Sequence, residues 1–150
     1  MVAPGSVRSV AMPSSVLFVC GMNAIRSPMA AVLARALLPR DVFIASAGVH
    51  AGEYDPFVET VLAEISLTLG AHHPQSLDEL DDSYFDLVVT LSPEAHHVAL
   101  EMTRTMPVSV EYWPTFDPSA LTGSREQQLE GYRSVRDELH TRLLRRFAPA

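Results

Sequence analysis

The stretch from residue 16 to residue 28 constrains the fold and the chemistry of this chain more than any other. Residues 16–19 are all apolar, and Cys20, the one cysteine of the chain, follows at once. Arg26 comes next after a five-residue loop, and Ser27 and Pro28 then open a helical pattern. A strand, a tight loop and a helix gather backbone N–H groups at a helix N-terminus, where anions bind. A thiol held at such a place is acidified by the helix dipole and a nearby cation, so we predict a cysteine nucleophile in an oxyanion-binding loop.

The rest of the chain alternates short apolar runs with helical patterns. After the run at residues 15–20, further runs stand at residues 42–45, 85–90 and 108–112, and each is followed by an amphipathic stretch. Strands that alternate with helices indicate right-handed crossovers and a parallel sheet covered on both faces. We therefore predict an α/β fold, a three-layer sandwich with a four-stranded parallel sheet and helices on both faces.

Local signals suggest where the helices begin and end. Ser27 is expected to be the N-cap of the first helix, which would begin at Pro28. The second helix is expected to extend from Pro56 to Leu69, with Gly70 closing it. The last helix is expected over residues 124–147.

Length, charge and cysteine content exclude several classes of protein. A chain of 150 residues predicts one domain, at residues 15–147, preceded by a flexible N-terminal tail at residues 1–14. A net charge of −7 argues against nucleic acid as a partner. The tail lacks the apolar core of a signal peptide, and no stretch is long enough to span a bilayer, so no membrane association is expected. One cysteine excludes an internal disulfide, which favours a reducing cytoplasm.

The loop between Cys20 and Arg26 has the composition of an anion cradle. A lone cysteine is most often a small buried apolar residue, but a guanidinium placed five residues further on changes that interpretation. Five backbone N–H groups can surround one tetrahedral anion, and Arg26 can close the ring with two parallel hydrogen bonds. Asn23 tolerates the left-handed backbone that a tight loop needs. The predicted phosphate-binding residues are Gly21, Met22, Asn23, Ala24, Ile25 and Arg26.

Further polar groups are expected at the same edge of the sheet. In parallel α/β sheets, ligands bind beyond the carboxyl ends of the strands. The polar groups that follow the four strands are Cys20, Ser46, Thr90 with Ser92, and the loop at residues 113–118. This topology brings Asp117 close to Cys20.

These motifs together resemble the low-molecular-weight protein tyrosine phosphatase superfamily, which includes related arsenate reductases. The resemblance rests on Cys20-x5-Arg26-Ser27-Pro28 near the N-terminus, on Ser46-Ala47-Gly48 and on Asp117-Pro118, and it covers residues 15–147. The segments at residues 75–80, 112–118 and 132–139 look more like the thioredoxin-coupled arsenate reductases.

The resemblance implies a mechanism and a set of site residues. Cys20 attacks phosphorus to form a phosphocysteine, the loop amides and Arg26 hold the oxygens, and Asp117 acts as general acid and then as general base. The hydroxyl of Ser27 is expected to hydrogen-bond the Cys20 thiolate as well as to cap the helix. His72 is expected to order the loop through Asn23 and Ser46. No cofactor and no metal are expected.

Several positions depart from the pattern of the family and leave alternatives open. Met22 stands in place of a glycine and is expected to crowd the loop, and Ser119 with Ala120 stands where tyrosine phosphatases carry aromatic residues. His50, Glu53 and Tyr54 are expected to form one wall of the site, and Trp113 is expected in the core.

The two cysteines that the similar arsenate reductases need are replaced by Ser92 and Ala99. The substrate is accordingly a phosphate monoester, on a phosphoprotein or a small molecule, or else arsenate reduced with an external thiol. A non-catalytic oxyanion-binding module is the third possibility.

Overall fold

The computed structural model describes residues 12–80 and 84–147, where strands and helices alternate along the chain. The elements are β1 (Ser15–Cys20), α1 (Arg26–Leu37), β2 (Phe43–Gly48), α2 (Pro56–Ala63), β3 (Leu87–Thr90), α3 (Pro93–Met102), β4 (Ser109–Tyr112) and α4 (Arg125–Phe147). Short 3-10 turns lie at Leu77–Glu79 and Pro118–Ala120. The predicted alternation is confirmed, although β2 continues beyond the expected apolar run to Gly48.

The sheet places Cys20 at the point where ligands bind in folds of this kind. Its strands are parallel and lie in the order β2-β1-β3-β4. Cys20 ends the central strand β1 and is paired with Gly48 of β2. Since β2 lies on one side of β1 and β3 on the other, the crevice beyond their carboxyl ends is the topological switch point of the sheet.

Helices cover both faces of the sheet. Val16 and Phe18 of β1 pack into the core formed with α1, α2 and α4. Leu17 and Val19 pack into a second core with α3. Every residue of β1 is buried, as expected for a strand between two helical layers. The predicted three-layer α/β sandwich is confirmed.

The start of α1 differs from the prediction. The helix begins at Arg26 with Ile25 at the N-cap position, so Ser27 lies inside the first turn and is not the N-cap. An N-cap side chain accepts a hydrogen bond from the helix backbone, but Ser27 Oγ lies 3.0 Å from Cys20 Sγ. The Ser27 hydroxyl therefore makes the expected contact with the cysteine but not the expected cap.

The end of α2 also differs from the prediction, because the helix stops at Ala63 and not at Leu69. Ser66 has a φ of 64°, in the left-handed region. The N–H of Ser66 donates to Ala63 O, and the N–H of Leu67 donates to Leu62 O. This is the hydrogen-bond pattern of a Schellman motif with serine in the position that glycine usually takes. Asp55 is the N-cap of this helix, and its carboxylate accepts from Phe57 N.

The described part of the N-terminal segment is attached to the sheet. Residues 1–11 of the tail expected at 1–14 lie outside the described residues. The N–H and hydroxyl of Ser14 donate to Asp86 Oδ2 at 2.7 and 2.6 Å, and these bonds lower the pKa of Asp86. Within residues 12–80 and 84–147, none of the helices has the length and apolar character needed to cross a membrane.

Candidate active site

The five-residue loop between β1 and α1 leaves its amides without acceptors. The backbone N–H groups of residues 21–25 donate no hydrogen bond to any residue in the described ranges. Cys20, which is 2% exposed, lies at the start of the loop, and Arg26 lies at its end. Unpaired N–H groups at a helix N-terminus form a concave site for anions.

The carbonyl groups of residues 20–22, in contrast, are paired with the segment that follows β2. Cys20 O accepts from Val49 N at 3.0 Å, and Gly21 O accepts from His50 N at 2.9 Å. Met22 O accepts from the N–H of Gly52 at 2.8 Å. The segment that follows β2 therefore holds the outer side of the loop, and this pairing keeps the N–H groups on the opposite side.

Asn23 is the central support of the loop and is fully buried. Its φ is 55°, the left-handed conformation that the sequence predicted. Its Nδ2 donates to Ser27 Oγ and Ser46 Oγ, both at 2.9 Å, and its Oδ1 accepts from Gln75 N at 2.9 Å. His72 Nε2 lies 3.1 Å from Asn23 O. Every polar atom of this side chain is thus used, so the loop is fixed from three separate segments.

His72 takes part in this network in its neutral form. Burial is the main cause that lowers the pKa of His72 from its usual value, and the bond to Asn23 O opposes that shift. Because a carbonyl oxygen can only accept, the Nε2 of the neutral ring carries the proton and donates to Asn23.

Ser27 connects the asparagine to the cysteine. Its hydroxyl accepts from Asn23 Nδ2 and lies 3.0 Å from Cys20 Sγ and 3.3 Å from Ala47 O. A thiolate can only accept, so when Cys20 is ionised the hydroxyl proton of Ser27 is available to donate to sulfur.

Arg26 is held against the loop that follows β4. Its Nη1 donates to Thr115 O at 3.0 Å, and its Nη2 lies 3.9 Å from Asp117 Oδ2. The Arg26 side chain is 13% exposed and that of Asp117 is 46% exposed. Asp117 Oδ1 also accepts from both the N–H and the hydroxyl of Ser119. The carboxylate is thereby ordered although it faces solvent.

One cleft of about 610 Å³ brings the predicted catalytic residues together. It is lined by Cys20, Met22, Ala24, Ile25, Arg26, Ala51, Gly52, Glu53, Tyr54, Asp55, Pro56, Asp117 and Ser119. Of the three residues expected to form a wall, Glu53 and Tyr54 lie there. His50 is not among the lining residues, and its Nε2 lies 3.3 Å from Glu94 Oε2.

The side chain of Met22 is accommodated by Gly52. Its side chain is 52% exposed, at the rim of the cleft. A Cβ on Gly52 would lie 2.7 Å from Met22 Cβ, and one on Gly48 would lie 2.7 Å from the carbonyl carbon of Met22. The crowding expected from the Met22 side chain is therefore directed at Gly52, whereas the contact at Gly48 involves the main chain of the loop.

Some polar residues expected at this edge have other partners. Thr90 Oγ1 lies 3.0 Å from His96 Nδ1, and Ser92 is the N-cap of α3. Both residues lie at the carboxyl-terminal edge of the sheet, as expected, but neither lines the cleft. Trp113 is buried with its ring edge-on to Phe18, in the core as expected.

Three contributors were missed by the sequence analysis. Gln75 supports Asn23 through its N–H and donates from Nε2 to Ser46 O at 2.9 Å, a contact between distant segments that no local pattern signals. Thr115 acts through its carbonyl oxygen, which any residue would supply. Ser119 could have been identified, since Asp followed two residues later by Ser is typical of a turn closed by the Asp side chain.

Comparison with known proteins agrees with this geometry. Residues 15–148 match the family described as low molecular weight phosphotyrosine protein phosphatase. The chain belongs to this family. Membership confirms the resemblance predicted from the loop motif, and with it the predicted class of enzyme, a phosphoric monoester hydrolase.

Individual relatives of this phosphatase family member are named for different activities. An arsenate reductase of Bacillus subtilis is 30% identical over 129 residues, which is 85% of this chain and 91% of the relative. The arginine phosphatase YwlE from Geobacillus stearothermophilus has a TM-score of 0.72 at 27% identity, covering 89% of this chain and 90% of that one. The Erwinia amylovora tyrosine phosphatase amsI also has a TM-score of 0.72, covering 95% and 93%, but at 22% identity it shows the fold alone.

Proposed function

We propose that the protein hydrolyses phosphate monoesters through a phosphocysteine formed on Cys20. The observation that carries this proposal is the loop itself, whose amides at residues 21–25 have no acceptor in the described chain. These amides stand between the buried thiol of Cys20 and the guanidinium of Arg26. Such a ring of fixed donors stabilises the charge on the three equatorial oxygens of a phosphoryl group during transfer.

In the first step the Cys20 thiolate attacks phosphorus. A sulfur–phosphorus bond forms while the bond from phosphorus to the leaving oxygen breaks. Asp117, which lines the same cleft, donates its proton to the departing oxygen, so the leaving group departs as an alcohol or phenol. Arg26 and the loop amides hold the transferred group throughout.

In the second step water hydrolyses the phosphocysteine. The Asp117 carboxylate, left unprotonated by the first step, accepts a proton from the attacking water. The oxygen of that water bonds to phosphorus, the sulfur–phosphorus bond breaks, and inorganic phosphate leaves. Cys20 returns to its thiolate form, in which Ser27 donates a hydrogen bond to sulfur. Ser46 and His72 act by holding Asn23 and touch no reacting atom.

Hydrolysis of p-nitrophenyl phosphate by the reduced protein tests this proposal. Cys20→Ser is expected to abolish turnover of p-nitrophenyl phosphate. Asp117→Asn is expected to lower turnover of phenyl phosphate, which has a poorer leaving group, by about 10²–10⁴-fold. Ser134→Ala, an exposed change on α4, serves as a control. A reduced wild-type protein that leaves p-nitrophenyl phosphate intact between mildly acidic and neutral pH contradicts the proposal.

A second candidate function is arsenate reduction, favoured by the relative from Bacillus subtilis. Cys20 is the only cysteine of the chain, and the buried Ser92 and Ala99 cannot supply the electrons of a dithiol relay. The reducing equivalents would come from an external low-molecular-weight thiol that attacks the Cys20–arsenate adduct. Arsenite would leave with two electrons, and a second thiol would reduce the resulting mixed disulfide. Arsenite formation with glutathione, measured beside phosphatase activity for wild type and Cys20→Ser, separates the two functions.

The cysteine and the net charge of the chain also bear on its cellular compartment and its partners. A nucleophilic thiolate needs a reducing compartment, which supports the cytoplasm as the location of the protein. The net charge of −7 supports partners other than nucleic acid.

A further inference from the structure

Glu53 and Tyr54 form a short segment at the rim of the cleft that is fixed next to the anion-binding loop. Gly52, which precedes them, donates its N–H to Met22 O at 2.8 Å. It also packs so closely against Met22 that a side chain at position 52 would not fit. Both Glu53 and Tyr54 are exposed and line the cleft. Their backbone position is therefore set by the loop that would hold the phosphoryl group.

The residue that follows this segment is fixed as well. Asp55 Oδ1 accepts from Phe57 N at 3.0 Å, and Asp55 Oδ2 accepts from the hydroxyl of Tyr132 at 2.6 Å. Burial first, and then this bond to Asp55, raises the pKa of Tyr132, so the hydroxyl remains a donor at neutral pH. Glu53 and Tyr54 are thus the two residues between a pair of anchored positions.

The carboxylates that line the cleft differ in what balances their charge. Asp55 has two hydrogen-bond donors, and Asp117 has Ser119 together with Arg26 at 3.9 Å. Glu53 has no hydrogen bond and no ion pair with any residue in the described ranges. Its negative charge therefore faces the cleft without a counter-charge from the described part of the chain.

We propose that this site selects phosphate monoesters whose leaving group carries a positive charge, which Glu53 meets at the rim. The inference rests on the function proposed above and names its substrate class. Arg26 and the loop amides would bind the phosphoryl dianion, and Asp117 is protonated in the first step, so an anionic leaving group would meet repulsion from Glu53. A cationic group would instead pair with Glu53 and could pack on the exposed ring of Tyr54. Ser119, which also lines the cleft, offers no aromatic surface.

Two aryl phosphates of opposite charge test the proposal. Tyramine O-phosphate has an ammonium group at the end of its leaving group, and phloretic acid O-phosphate has a carboxylate there. We expect wild-type protein to show a kcat/KM about two- to fivefold higher for the ammonium compound, the range for one exposed ion pair. Added salt should shrink this ratio because exposed charges are screened.

Variants assign the preference to one side chain. Glu53→Gln should bring the ratio of kcat/KM for the ammonium compound to that for the carboxylate compound close to one, and Glu53→Lys should invert this ratio. Glu138→Gln on α4 changes the net charge by the same amount as Glu53→Gln and should leave the ratio unchanged. Phosphotyrosine peptides flanked by lysines or by glutamates show whether the same preference extends to a phosphoprotein segment.

Equal kcat/KM values for the two aryl phosphates, or a ratio that Glu53→Gln leaves unchanged, overturn the inference. Either result leaves the proposed phosphatase function intact as long as p-nitrophenyl phosphate is hydrolysed. A protein inactive on p-nitrophenyl phosphate contradicts the proposed function itself.

Discussion

Ser119 directs two hydrogen bonds to one oxygen of the Asp117 carboxylate. Its N–H lies 3.0 Å and its hydroxyl 2.8 Å from Oδ1, while Oδ2 lies 3.9 Å from Arg26 Nη2. Because Oδ1 is already an acceptor for two donors, a proton bound to this carboxyl group resides on Oδ2. Oδ2 is also the oxygen on the side of Arg26, where the leaving group of the proposed reaction would be protonated.

The first prediction concerns this pair. Ser119→Ala removes the hydroxyl donor, so we expect a loss of about two- to tenfold in kcat for phenyl phosphate. The loss should be smaller for p-nitrophenyl phosphate, whose leaving group departs without much help from an acid. Steady-state kinetics on both substrates measure the difference, with Ser134→Ala as the control. Equal losses on the two substrates would show that the hydroxyl does not position the acid.

The second prediction concerns the support of the loop. Asn23→Ala leaves the buried hydroxyls of Ser27 and Ser46 and the partly buried N–H of Gln75 without this partner, and it places alanine at a φ of 55°. We expect the free energy of unfolding to fall by about 2–4 kcal/mol. Urea denaturation measures this change. Ser46→Ala, which removes a single bond to Asn23, should cost less, and a comparable cost for both variants would argue against a central role for the asparagine.

The third prediction concerns the packing of Met22 against Gly52. Gly52→Ala would bring two Cβ atoms to 2.7 Å, so we expect it to destabilise the fold by about 1–3 kcal/mol and to lower turnover. Met22→Gly removes one of those atoms. Combined in one chain, the two changes should recover most of the lost stability, although the carbonyl oxygen of Met22 still lies 3.1 Å from the added Cβ. Strictly additive losses in this double-mutant cycle would contradict the proposed contact.

The fourth prediction concerns pH. Because burial lowers the pKa of His72 below its usual 6.5, the unfolded chain takes up this proton more readily than the native protein. The stability associated with neutral His72 is therefore complete above pH 6.5 and is lost as the pH falls toward the lower native pKa.

The comparison with His72→Gln measures this contribution. Urea unfolding at several pH values between neutral and mildly acidic should show wild type losing more stability than the variant as the pH falls. The difference in slope is at most about 1.4 kcal/mol per pH unit for one group. Parallel pH profiles for the two proteins would show that His72 is not buried in its neutral form.

Features encoded in one continuous segment were predicted from the sequence. The run into Cys20, the loop length and Arg26 lie within a few residues of one another, and they are sufficient to predict both the strand and the loop that follows it. The alternation of apolar runs and amphipathic stretches was also sufficient to predict the parallel sheet and the helical layers that cover it.

Some features that depend on contacts between distant segments were not predicted, although the approach of Asp117 to Cys20 was. Ser27 was expected both to cap α1 and to hydrogen-bond Cys20, and the fold shows the contact with Cys20 but not the cap. Gln75 reaches Asn23 across 52 positions of the chain, so no sequence pattern near either residue reveals the bond. The residue that terminates α2 is Ser66, in a left-handed conformation that costs a serine some free energy. Glycine adopts this conformation more easily, so the local pattern pointed to Gly70 as the end of the helix.

The outward pairing of the loop carbonyls has a consequence for the end of the catalytic cycle. Since Val49, His50 and Gly52 hold Cys20, Gly21 and Met22 from outside, the amides keep their arrangement whether or not an oxyanion is present. Little ordering entropy is lost when an anion enters, so inorganic phosphate should compete with substrate for the free enzyme. Product inhibition by phosphate is therefore built into a rigid loop of this kind, and the phosphate concentration of the surrounding compartment would set how much of the enzyme is free to work.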